Sequence, residues 1–150
     1  MKKKAEVIPM SDTLFIQRRR VITMLYEARS VLGMELPRIK VRIVEFEKRD
    51  NEKVLGRCFI DKDYITISKE MVNWSDDFLR SVVWHELGHA YFNAKHDLTC
   101  PLMHPHCNEV KTKATLIKAL KKISQRRNHE EDITDVTPPI TQCLCRRLVL

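Results

Sequence analysis

No run of apolar residues in this chain approaches the roughly 18–20 that a membrane span requires, so no transmembrane segment is expected. The start, Met1-Lys-Lys-Lys-Ala-Glu-Val-Ile-Pro, is basic like a secretory leader but has no apolar stretch behind it. Glu6, Pro9 and Asp12 come too early, which predicts a cytoplasmic protein without a leader. Paired C-x-x-C knuckles are missing too. The five cysteines (Cys58, Cys100, Cys107, Cys143 and Cys145) are odd in number, which predicts reduced thiols and not a disulfide framework. There is no internal repeat, and 150 residues fit one domain.

What is present is charge. The net charge is +7, carried by Arg18 to Arg20, the lysines from Lys111 to Lys122, Arg126-Arg127 and Arg146-Arg147. Such a balance attracts polyanions without defining a surface for them, and basic helix faces are commonly just solvated. Nucleic acid is therefore an open partner, a membrane is not, and the oligomeric state is not encoded.

Hydrophobic spacing predicts a first helix from about Thr13 to Leu32, with Leu14, Ile16, Val21, Leu25, Ala28 and Leu32 inward and Gly33 as its stop. Residues 39–46 alternate at period two, Ile39, Val41 and Ile43 against Lys40, Arg42 and Val44, as a half-buried strand does. Val54 to Ile60 and Tyr64 to Ser68 are further strand candidates, joined by the polar turns 50–53 and 61–63. Ser75-Asp76-Asp77 caps a long helix bearing Phe78, Leu79, Val82, Val83, Leu87 and Ala90. After a loop broken by Pro101 and Pro105, residues 109–128 read as a last helix with Val110, Ala114, Ile117, Leu120 and Ile123 inward. The fold class expected is α+β, a small and mainly antiparallel sheet packed on the first and active-site helices, with a C-terminal helix. Residues 1–128 form the domain and 129–150 a tail or partner-dependent segment.

The chemistry lies in Trp84-His85-Glu86-Leu87-Gly88-His89, an H-E-x-x-H sequence on a predicted helix. Residues four apart share a helix face, so both imidazoles can reach one ion. Zinc takes nitrogen ligands at about 2.0–2.1 Å, and a catalytic site leaves one position open. Glu86 follows the first ligand and is the expected general base, taking a proton from zinc-bound water and returning it to the leaving amine. The neighbours Val82, Val83 and Leu87 predict a buried helix. Two histidines and a glutamate buried there would be costly without a metal.

His96 is the candidate third ligand. On a continuous helix it would lie about 10 Å beyond His89, out of reach of the same ion. The helix must therefore end first, and Asn93, which tolerates the left-handed conformation, is the expected turning residue.

The stretch from His85 to Pro105 resembles the metzincin metallopeptidases, with His85, His89 and His96 on the ligand positions, Glu86 on the base and Met103 on the turn methionine. The run from Gly56 to Pro105 is similar to small metallopeptidases of phage and bacterial genomes, which implies a host-cell cytoplasm if the gene is a phage's. Phe92 stands where the family has glycine, and the third histidine comes one residue late. The resemblance implies a zincin-like domain, a zinc peptidase acting on a peptide or protein substrate, and Met103 as an apolar floor beneath the metal. It also implies a strand pairing with extended substrate, for which Tyr64 to Ser68 is the candidate, with Tyr64 and Thr66 facing the peptide. His104 and His106 are alternatives for substrate binding or for the third ligand.

A second resemblance is to SprT-like proteases, which act on nucleic-acid-associated proteins. They share H-E-x-x-H-A, here His85 to Ala90, after a strand and a helix. Their third histidine lies further downstream, and neither a C-x-x-C ribbon nor a role for Met103 is matched. A third reading is a non-enzymatic module in which zinc is structural, although such a site needs no base like Glu86. Cys100, Cys107, Cys143 and Cys145 do not have the spacing of a second zinc site.

Overall fold

The computed structural model describes residues 10–36, 39–45, 52–58, 64–104, 110–129 and 143–148. Helix α1 spans Met10–Leu32 and ends at Gly33, whose φ of 62° continues no helix. Its buried face is Gln17, Val21, Met24 and Ala28, the i, i+4, i+7, i+11 row of a single stripe. Ile16, expected inward, lies off that row and is exposed.

Three strands follow, β1 (Lys40–Val44), β2 (Glu52–Cys58) and β3 (Tyr64–Ser68). A fourth, β4 (Cys143–Leu148), completes a sheet of order β1-β3-β2-β4. The α+β class and the antiparallel pairing of β2 with β3 agree with the sequence reading; β2 also pairs antiparallel with β4. The pairing of β1 with β3 is parallel. Two assignments from sequence change. The segment 143–148, placed in a tail, is an edge strand of the sheet. Tyr64–Ser68, read as the strand that pairs with substrate, is central: β1 binds it along Tyr64 to Ser68 on one side and β2 along Ile65 to Ile67 on the other. Its backbone groups are thus committed, Thr66 is buried, and the Tyr64 ring lies 4.3 Å from the Arg42 guanidinium carbon. No edge remains there for a peptide.

Helix α2 (Asp76–Ala90) follows a short 3-10 turn, Lys69–Asn73. Ser75 caps it by accepting from the Phe78 amide at 3.2 Å, and Asp76 and Asp77 meet the positive end of its dipole. Every residue from Phe78 to His89 is buried, because α2 crosses β2, reaches β3 and β4, and packs against α1 and α3. Helix α3 spans Lys113–His129. It starts at Lys113 because Thr112 caps it, its hydroxyl accepting from the Thr115 amide at 3.3 Å. The inward residues are accordingly Leu116, Ala119, Leu120 and Ile123, while Val110 and Ala114 are exposed. No described helix is long and apolar enough to cross a membrane.

Polar links hold α2 in place. Trp84 donates its indole N–H to the Met24 carbonyl at 2.9 Å. Arg20 reaches the carbonyls of Met71 and Trp74 and the Asp76 carboxylate. Arg80, buried on α2, pairs with Glu27 at 3.1 Å and Asp77 at 2.8 Å, and Glu27 also receives Lys113 from α3 at 3.1 Å. Burial opposes ionisation of Glu27, yet hydrogen bonds from Arg80 and Lys113 outweigh it and lower its pKa. One carboxylate thus joins three helices. Arg80→Ala should cost about 2 kcal/mol of unfolding free energy in urea denaturation, because it removes charged hydrogen bonds from a buried guanidinium and leaves the partly buried Glu27 with Lys113 alone. A loss near the 0–1 kcal/mol of an exposed ion pair would assign the cluster to the surface.

Candidate metal centre

His85 and Glu86 are wholly buried and His89 is 4% exposed. The two imidazoles leave α2 one turn apart. Each ring uses its Nδ1 on a carbonyl of the loop that follows: His85 donates to Leu102 O at 2.7 Å and His89 to Ala94 O at 2.6 Å. A carbonyl can only accept, so each Nδ1 carries the proton and each neutral ring presents a bare Nε2. Those two Nε2 atoms are 3.0 Å apart.

The loop that supplies the carbonyls also brings back His96. Tyr91 still donates to Leu87 O at 2.8 Å, after which Asn93 turns the chain at φ 51°. Ala94 N then bonds Gly88 O at 2.9 Å. Past this reversal, His96 Nε2 lies 3.2 Å from His85 Nε2, and the ligand atoms of all three histidines fall within 4.8 Å of one another. Four tetrahedral ligands about 2.0–2.1 Å from one zinc ion stand about 3.3 Å apart. The donor set fits a zinc ion with a position left for solvent, since three imidazole nitrogens suit zinc and His96 is exposed on the open side.

Electrostatics agree. Burial, with the neighbouring His89 charge, holds the His85 pKa well below 6.5, and burial brings His89 down to about 4. Both rings are therefore neutral at physiological pH, the form that binds metal.

Residues 97–104 close under the site. Asp97 N donates to Met103 O at 3.0 Å, His104 N to Cys100 O at 3.1 Å, and Asp97 Oδ1 accepts from the Thr99 amide and hydroxyl. Met103 is buried against Gly88, where a Cβ would stand 2.7 Å from its sulfur. Glycine is needed at 88 because the methionine lies against the helix backbone. At the other face of α2, Gly56 of β2 leaves room for Glu86: a Cβ there would meet the Glu86 Cγ and Oε1 at 3.1 Å. From sequence Gly56 reads as a bulge or close approach in a strand, as the irregular ladder and the contact with Glu86 show, but neither glycine is assigned there to the site. Their signal was a glycine inside a helix and one inside a strand.

His104 is half-buried beside this turn, close enough for its charge to act on His85. His106 and Cys107 lie outside the described residues, as do the side chains of Cys143 and Cys145, so the four-cysteine site is not described. Tyr64 and Thr66 are in the sheet, away from the three histidines.

A helical H-E-x-x-H with a third histidine beyond a turn defines the zincin type of metal centre. Within that class the chain belongs to the SprT-like family, which matches residues 22–130. This was the second of the resemblances read from sequence. The metallopeptidase zymogen of Pyrococcus abyssi abylysin is similar in structure, with a TM-score of 0.43 and 19% identity over 75% of this chain and 89% of that one. Among curated proteins nothing matches.

Two measurements probe this packing. In metal-free protein the unfolded chain takes up protons on His85 and His89 near pH 6.5, whereas in the folded chain His89 resists until about pH 4 and burial holds His85 well below 6.5 as well. Stability should therefore hold above pH 6.5 and fall as the pH drops from 6.5 towards 4. Denaturation curves in chelator that do not change across that window would contradict the buried neutral rings. Separately, Gly88→Ala should destabilise by about 1–3 kcal/mol despite its better helix propensity, and Met103→Ala in the same chain should recover part of that loss. Strict additivity of the two would show that these residues do not touch.

Proposed function

We propose that this protein is a zinc metallopeptidase in which His85, His89 and His96 hold the metal and Glu86 is the general base. The observation carrying the reading is the pair of bare Nε2 atoms 3.0 Å apart, fixed by Nδ1–H donation to Leu102 and Ala94. Converging imidazole nitrogens of this kind suit a zinc ion. The family supports the same class.

A zinc ion in this setting supplies Lewis-acid polarisation of a carbonyl and makes water more acidic. The protein's own residues do the remaining work. Glu86, buried between α2 and Gly56 and one residue from a ligand, accepts a proton from the attacking water and delivers it to the departing amine nitrogen. Peptide C–N cleavage then yields a carboxylate and an amine with water consumed. The buried surroundings of the carboxylate favour its taking up a proton during the reaction. Met103 has the role of a metzincin turn methionine, an apolar floor, a reading supported by its burial against Gly88. His104, half-buried near His85, is positioned to contact substrate.

Purified protein should hold about one zinc per chain by plasma mass spectrometry. His85→Ala and His89→Ala should empty it, and His96→Ala should weaken retention strongly. Glu86→Gln should keep the metal and lower casein hydrolysis by about 100-fold or more. Zinc kept in both His85→Ala and His89→Ala would reject the ligands, and full activity in Glu86→Gln would reject the base.

A further inference from the structure

Beside the loop that carries the third histidine lies a cavity of about 350 Å³, between residues 97–101 and the middle of α3. Its described lining includes none of His85, Glu86, His89 and His96, so it is separate from the metal cleft. Its size falls in the range of sites that hold one small organic molecule.

The lining is amphiphilic. Ala119 and Ile123, both buried, form it on the α3 side, and Cys100 and Pro101 form it on the loop side. Lys118 and Lys122 also line it. They are exposed and one turn apart on α3, so both ammonium groups stand on one face at the mouth. Among the described residues neither is ion-paired. The one carboxylate in the described lining, Asp97, is engaged within its own loop, where Oδ1 accepts from the Thr99 amide at 2.9 Å and hydroxyl at 2.7 Å. Lysine stems lie along apolar surface while their heads stay in water. An apolar interior beneath two such heads selects an anion with an apolar body.

One turn connects this wall to the histidines. The Cys100 sulfur accepts from the Met103 amide at 3.4 Å, and its carbonyl accepts from the His104 amide at 3.1 Å. Asp97, next to His96 in the chain, donates its amide to Met103 O at 3.0 Å. Between these bonds sits Leu102, whose carbonyl receives the His85 Nδ1–H. A molecule seated against α3 needs this turn folded, and therefore favours the folded turn by mass action.

We propose that the cavity binds a small carboxylate with an unbranched apolar chain, the chain on Ala119, Ile123 and Cys100 and the carboxylate between Lys118 and Lys122, and that its occupancy tightens the hold of the three histidines on their metal. Binding to the cavity does not depend on the peptidase reading above; the effect on metal rests on the three-histidine site of that reading. Linkage makes the coupling reciprocal, so metal tightens the grip on the carboxylate by the same factor.

Octanoate is the probe, with 1-octanol and octylammonium as its neutral and cationic counterparts, each titrated calorimetrically into the full chain purified with zinc. Octanoate should bind about fivefold or more tightly than either counterpart. Lys118→Glu/Lys122→Glu, at two exposed positions, should weaken octanoate about tenfold and strengthen octylammonium. Ala119→Leu fills the interior and should weaken octanoate as well. Zinc affinity, read by competition with a chromogenic chelator, should rise about fivefold in saturating octanoate, and should not rise in the lysine double variant. No octanoate binding, or equal affinity in the native chain and the lysine double variant, overturns the site even if Ala119→Leu does not fold. Octanoate binding with unchanged zinc affinity overturns the coupling. Octanoate binding by a chain that takes up no zinc keeps the cavity, and removes the metal site and the coupling with it.

Discussion

Two short hydrogen bonds, from His85 to Leu102 O and from His89 to Ala94 O, determine what this molecule can do. A histidine can present a proton or a lone pair at Nε2, and the choice is set by what its other nitrogen touches. Here both Nδ1 atoms are held by peptide carbonyls, which accept only. The helix contributes the spacing of the rings, but the loop contributes their protonation, and without the loop the same pair of histidines could share a proton as easily as a metal.

Around this arrangement the protein is built to exclude water from one helix. From Phe78 to His89 no residue of α2 is open to solvent, which is unusual for a segment carrying two histidines, a glutamate and an arginine. Each polar group has a distinct solution. Arg80 is neutralised by Glu27 and Asp77, the imidazoles are kept uncharged by burial, and Glu86 has space made for it by the missing side chain of Gly56. Gly88 makes the same allowance for Met103. Small residues thus admit large ones at the two places where the backbone must come closest.

Much of this was readable from local signals. The H-E-x-x-H helix, its Ser75 cap and the reversal at Asn93 each depend on residues within a few positions of one another. The need for His96 to turn back followed from the rise of a helix alone. What was not readable involves distance along the chain. Parallel pairing of β1 with β3 depends on how β2 folds back, and nothing in either segment announces it. Tyr64–Ser68 has the alternation of a half-buried strand, but its neighbours on both sides come from elsewhere, and they remove it from any contact with a peptide. β4 is short and follows a polar stretch, so its composition resembled a tail. The metzincin likeness drew on Met103, whereas the family matched is SprT-like; the methionine's physical signature is its packing on Gly88, which does not by itself distinguish the two.

Ala94 has a consequence beyond its own bond. Its amide is tied to Gly88 and its carbonyl to His89, while the chain it redirects carries His96 and continues to Leu102, which holds His85. The reversal and the ligands therefore belong to one cooperative unit. Local melting of residues 91–104 would free all three rings at once, so release of an ion and loosening of this segment become the same thermodynamic event. The grip on a cation is then set as much by the stiffness of a dozen loop residues as by the basicity of any imidazole.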